Sequence, residues 1–102
     1  MQTFVHHFIA TYQPALSMDP MVRSLDLFAE VGELGKAILQ ATNYGASSCS
    51  STPAIQEEVG DSLFSLLLLC HALGLDASIS LQQALDKYAQ RLRRKGHIGS
   101  NP

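Results

Sequence analysis

A chain of 102 residues, 46% hydrophobic and 16% charged, has room for one domain and enough apolar side chain to bury a core, which excludes a multi-domain enzyme and a disordered segment. Its formal net charge of -2, with four histidines neutral, excludes the basic surplus of a duplex DNA binder. Two cysteines, Cys49 and Cys70, are too few for the disulfide framework of a small secreted domain and are expected as reduced thiols.

The first predicted helix covers residues 2–13, where Phe4, Phe8 and Tyr12 recur every fourth position and form an apolar stripe. Pro14 ends it, residues 15–20 connect, and Asp19-Pro20 reads as an N-cap followed by a first-turn proline. The second helix covers residues 21–41, with Leu27, Val31, Leu34 and Ile38 on one face. Gly32 and Gly35 interrupt it, each at a cost of about 1 kcal/mol against alanine. They predict either a closely packed neighbouring helix or a bend. Residues 43–53 hold Gly45, four serines and no charge, the composition of a mobile loop.

Thr52-Pro53 opens the third helix, with Glu57 and Glu58 in its early turns, where the helix dipole favours acids. It is expected to run to Leu73 and end on Gly74. Residues 63–73 are apolar nearly all round, so this helix needs cover on several sides and predicts a subunit interface. Residues 63–75 are interrupted by Ser65, His71 and Gly74 and fall short of the ~20 residues of a membrane-spanning helix. No basic-then-apolar leader opens the chain, so the expectation is a soluble cytoplasmic protein without nucleic-acid or membrane partners. The fourth helix, capped by Asp76 or Ser78, covers residues 79–95 and aligns Leu81, Leu85, Tyr88 and Leu92. No strand pattern appears. The expected fold is all-α: one domain over residues 1–95 with a tail over 96–102, and a four-helix bundle-like protomer that assembles as a dimer or dimer of dimers.

Four carboxylates carry the chemistry. Glu30 and Glu33 are three apart on the second helix, and Glu58 and Asp61 repeat the spacing on the third. Each pair borders an apolar stripe, so packing the two helices through those stripes makes the pairs converge. Two unit charges ~5 Å apart repel by about 3 kcal/mol at an effective dielectric near 20. Four together approach on the order of 10 kcal/mol, comparable to the ~5–15 kcal/mol that stabilises a domain. Protonation or a hard divalent cation relieves this, and oxygen-only ligands suit Mg²⁺ or Mn²⁺ rather than zinc. Acid pairs at this spacing also occur simply as solvated faces. The pattern acid-Val-Gly-acid occurs at both pairs, in Glu30-Val31-Gly32-Glu33 and Glu58-Val59-Gly60-Asp61, where small residues leave room for a metal and a phosphate.

The segments from Phe28 to Leu34 and from Glu57 to Phe64 resemble the two signature stretches of the MazG-like all-α nucleoside triphosphate pyrophosphohydrolases, EExxE and then ExxD, in the right order and at a suitable separation. The resemblance covers residues 21–94. Ala29 stands where the family pattern has its first glutamate. Leu85-Asp86-Lys87-Tyr88 departs from the asparagine that often precedes the lysine in relatives. The resemblance implies Mg²⁺-dependent hydrolysis of a nucleoside triphosphate between its α- and β-phosphates, with a house-cleaning role in the nucleotide pool. Glu30, Glu33, Glu58 and Asp61 would be the metal ligands, and Glu30 or Glu33 the general base. A phosphoribosyl-ATP pyrophosphohydrolase shares this logic. A non-catalytic helical homodimer that binds nucleotide or a partner protein is the rival from another class.

Lys87 and Arg91, one turn apart on the fourth helix, are the candidate phosphate ligands; as an alternative they complement the helix dipole with Arg93, Arg94 and Lys95. Lys36 reads as a salt-bridge partner of Glu33. His7 and Phe28 are candidates to contact the base, within a set of aromatics (Phe4, Phe8, Tyr44) that mostly reads as core. His71 reads as a core or interface histidine.

Overall fold

The computed structural model describes residues 1–101, so Pro102, the last residue of the expected tail, lies outside the described residues. Four helices follow in order: α1 (Gln2–Tyr12), α2 (Pro20–Ala41), α3 (Pro53–Ala72) and α4 (Ala77–Lys95). No strand occurs among the described residues, and the protein is all-α. None of these helices alone is long and apolar enough to cross a membrane.

Local chemistry sets the helix ends. The Asp19 carboxylate accepts from the Met21 N–H at 3.0 Å, with Pro20 in the first turn. The Thr52 hydroxyl accepts from the Ile55 N–H at 3.2 Å, and Asp76, rather than Ser78, accepts from the Ser78 and Ile79 N–H groups at 2.9 and 3.1 Å. Each cap satisfies backbone donors that a helix start leaves without partners. At the end of α3, Gly74 adopts φ 68°, with its N–H on the His71 carbonyl at 3.1 Å and the Leu75 N–H on the Cys70 carbonyl at 2.9 Å. This is the paired closing bond that a left-handed glycine permits.

The serine-rich connection opens as an ordered turn. Asn43, Tyr44 and Gly45 take φ of 49°, 58° and 87° in succession, and the Tyr44 N–H reaches the Leu39 carbonyl at 2.6 Å. The buried Thr42 hydroxyl donates to the Ile38 carbonyl at 2.8 Å and accepts from the Gly45 N–H at 3.1 Å.

The core is small. Val5 and Ile9 of α1 meet Leu67 and Leu68 of α3, flanked by Leu16, Met18, Phe64 and Ala77. The buried side of α1 is therefore the Val5–Ile9 stripe, not the expected Phe4–Phe8–Tyr12 stripe. Phe4 is 79% exposed, and only Phe8 of that set stacks on α3, edge-on to Phe64 at 5.3 Å. α2 lies along α3. Met18, just before α2, packs against the cluster that holds Leu67 and Leu68 near the end of α3, while Glu30 meets Glu58 and Asp61 near its beginning, so the two helices run antiparallel.

After α3 the chain turns through 106° into α4. Gln2 clips this turn, donating to the Leu75 carbonyl at 3.1 Å and accepting from the Ala77 N–H at 2.9 Å. Beyond it α4 hardly touches the other helices, and Leu81, Leu85 and Leu92 stay exposed. The radius of gyration is accordingly 16.7 Å, against about 13 Å for a compact domain of this length. Gly32 and Gly35 meet no helix either: a methyl group added at each would find nothing within 4 Å. The close approach they predicted is absent within the protomer.

Candidate active site

α2 and α3 carry the acids to one place. Glu30, Glu58 and Asp61 each offer a carboxylate oxygen, and the three oxygens lie within 4.8 Å of one another. Glu30 and Glu58 are half-buried, and Asp61 is exposed. The i, i+3 spacing on α3 puts Glu58 and Asp61 on one side of that helix, and the antiparallel register puts Glu30 opposite them.

Glu33, the fourth expected ligand, stands outside this three-oxygen group. It lies exposed nearly one turn further along α2 and acts on the group through its charge. The Glu58 carboxyl is pushed above the usual carboxylate range, first by desolvation and then by the negative charges of Asp61, Glu30, Glu33 and Glu57. Each of these neighbours disfavours the ionised form. Glu57 is the contributor that motif spacing passes over, although its position next to Glu58 is a signal plain in the sequence.

Among the described residues no cation forms an ion pair with these acids. The one ion pair among the described residues is Arg23–Asp26, at 2.6 Å on α2. Lys36 forms no ion pair with Glu33. Lys87 and Arg91 lie on α4, where the ammonium sits 4.7 Å over the Tyr88 ring and the guanidinium 5.8 Å from the same ring. Arg91 also donates to the Ile98 carbonyl at 3.1 Å, and the tail folds back along the end of α4, with Lys95 donating to Ser100 and Asn101 carbonyls.

Neither base candidate is enclosed in the protomer. His7 is exposed on α1, and Phe28 is 67% exposed on α2. A cavity of about 330 Å³ instead lies at the α3–α4 turn, lined by Gln2, His6, His71, Gly74, Leu75 and Asp76. There His71 packs edge-on to His6 at 4.9 Å, which makes it an inter-helix contact of α1 and α3.

The donor set is three hard carboxylate oxygens, converging without a counter-charge. It fits a divalent cation of the magnesium class, and it lacks the imidazole or thiolate that zinc prefers. No curated protein and no solved structure matches the chain. Residues 21–97 match the family model described as the MazG nucleotide pyrophosphohydrolase domain, a stretch that contains both acid pairs, and the chain belongs to that family.

Proposed function

We propose that the protein hydrolyses a nucleoside triphosphate between the α- and β-phosphates, releasing a monophosphate and pyrophosphate, with Mg²⁺, or Mn²⁺ in its place, as cofactor. Glu30, Glu58 and Asp61 hold the cation, with Glu33 beside them. The observation that carries this reading is the convergence of three carboxylate oxygens within 4.8 Å in a chain of this family. When bound, a cation of this kind neutralises phosphate charge and makes a water more acidic.

The chain's own residues supply the rest. Water attacks the α-phosphorus, the bridging bond to the β-phosphate breaks, and pyrophosphate leaves. A carboxylate takes the proton of the water. Of the two candidates, Glu30 is committed to the three-oxygen group, whereas Glu33 is near it with its oxygens free. Glu33 is therefore the general base in this reading.

Assembly as a homodimer or homotetramer completes the site. The exposed Leu81, Leu85 and Leu92 of α4 need cover, and a second copy laid along this face brings Lys87 and Arg91 to an acid group that has no cation of its own. A role in removing surplus or non-canonical nucleotides in the cytoplasm fits this chemistry.

A nucleotide panel that includes phosphoribosyl-ATP, assayed for pyrophosphate release with Mg²⁺, tests the reading. Release by the wild-type protein and its loss in Glu58→Gln are expected. Equal release by the variant overturns the metal assignment, and no release from any nucleotide overturns the activity.

A further inference from the structure

Two buried polar atoms among the described residues have no hydrogen-bond partner: the Nε of Arg23 and the Oγ of Ser62. Buried donors are rarely left unpaired in a native fold, so each calls for an explanation. Arg23 is the more demanding of the two, because its side chain is only 11% exposed and a guanidinium carries five donors and a permanent charge. Asp26 takes one of those donors, at Nη2, and leaves Nε without an acceptor.

The places of these two residues connect them to the acids. Arg23 precedes Glu30 by seven residues, almost two full helical turns, so both project from the same side of α2, about 10 Å apart along its axis. The bond to Asp26, three residues ahead, draws the guanidinium towards Glu30 rather than towards the start of the helix. On α3, Ser62 follows Asp61 directly and lies one turn beyond Glu58. Because the helices are antiparallel, that direction along α3 leads towards the Arg23 end of α2. The acid group, the Ser62 hydroxyl and the Arg23 guanidinium thus succeed one another along the α2–α3 seam.

We propose that Arg23, with the Ser62 hydroxyl beside it, is an anion subsite of this centre, which receives the phosphate groups that leave as pyrophosphate. The assignment rests on the pyrophosphohydrolase reading. Its chemistry is specific: the Nε–H and the remaining Nη2–H form a two-donor edge that matches two phosphate oxygens, an arrangement that a lysine ammonium does not reproduce. Asp26 takes the other Nη2–H and fixes the orientation of the group. The subsite would also separate roles along the seam, with the acids at the cation and the guanidinium at the departing charge.

Calorimetric titration of the full chain with inorganic pyrophosphate at saturating Mg²⁺, and separately with Mg²⁺ alone, tests the assignment. Arg23→Gln and Arg23→Lys are expected to weaken pyrophosphate binding by about 10- to 100-fold, the scale for hydrogen bonds to a charged group, while the affinity for Mg²⁺ alone stays within about twofold. Ser62→Ala is expected to give a smaller loss in the same direction. If Arg23→Gln does not fold, Arg23→Lys, which keeps the charge and the stem, carries the comparison. Unchanged pyrophosphate affinity in Arg23→Lys, or an equal fall in affinity for Mg²⁺ alone, overturns the subsite and makes Arg23 a structural residue, while the parent reading stands. Absence of pyrophosphate binding by the wild-type protein overturns both.

Discussion

Glu30 on α2 and Glu58 on α3 come from separate helices, yet their carboxylate oxygens lie within 4.8 Å of each other and of an Asp61 oxygen. That contact makes the α2–α3 pair a charged assembly rather than a passive scaffold, since no cation among the described residues pairs with these acids. Its first consequence is thermodynamic. A ligand that binds only the folded state stabilises it by mass action, by about 2.7 kcal/mol at a hundredfold excess over Kd. Addition of Mg²⁺ is expected to raise Tm in the wild-type protein and not in Glu58→Gln. Thermal scans with and without the cation, or with a chelator, measure it. An equal rise in both proteins would place the cation elsewhere.

The raised Glu58 carboxyl sets the sign of the pH dependence. Its folded form holds a proton more tightly than its unfolded form does, because of desolvation and four acidic neighbours. The native state therefore binds more protons across the window between the ordinary carboxylate value and the raised one. This group's contribution is fully present below that window and lost as pH rises through it. The metal-free protein is expected to lose stability on moving from acid towards neutral pH, with a shallower slope in Glu58→Gln. Mg²⁺ acts in the opposite sense, because it requires the ionised form. Denaturant unfolding at a series of pH values, with and without cation, reads both slopes. A wild-type slope no steeper than the variant's would contradict the assignment.

Glu33→Gln separates proton transfer from cation binding. With Glu33 outside the three-oxygen group, the variant is expected to keep Mg²⁺-induced stabilisation and to lose turnover by about 10²- to 10⁴-fold, the usual range for a general base. Collapse of both together would instead make Glu33 a ligand. Single-turnover kinetics set beside thermal shift distinguish the two outcomes.

The core offers an independent check on stability. Leu68 is 1% exposed and joins Ile9, Val5 and Leu67 in the small buried cluster. Leu68→Ala is expected to cost about 2–5 kcal/mol through lost transfer energy and a residual cavity. Leu85→Ala on α4, exposed in the protomer, tests a different quantity: it should weaken association more than protomer folding. Chemical denaturation and sedimentation velocity give the two readings.

Much of this arrangement is written locally and so can be read from the sequence. The caps at Asp19, Thr52 and Asp76 use side chains two or three residues from the donors they satisfy, and Gly74 ends α3 because it alone tolerates the left-handed turn there. The acid pairs are legible for the same reason, since i, i+3 spacing is a local property. What depends on a distant partner is not legible. Phe4–Phe8–Tyr12 and Val5–Ile9 are adjacent stripes on one helix, and only the position of Leu67 and Leu68 decides which of them is buried. The separation of Glu33 from the three-oxygen group likewise depends on which side of α2 meets α3. The direction of α4 is set at its start by Gln2, a residue 73 to 75 positions away in the chain. Arg23 lies outside the motif, and its buried, unpaired Nε becomes visible only in the folded chain.

The separation of acids and cations within the protomer leads to a complementation test. If Lys87 and Arg91 serve the acid group of a second copy, a protomer carrying Glu58→Gln and one carrying Lys87→Ala with Arg91→Ala are each inactive as homodimers. Mixed by co-refolding, they form heterodimers with two unequal sites. One site combines both defects. The other combines intact acids from one protomer with intact cations from its partner. Random pairing makes half of the dimers mixed, each with one intact site, so recovery of about a quarter of wild-type turnover is expected for a symmetric dimer. If the cations served the acids of their own protomer, every site would keep one defect and mixing would recover nothing. Pyrophosphate release before and after mixing, with sedimentation to verify heterodimer formation, decides between the two arrangements.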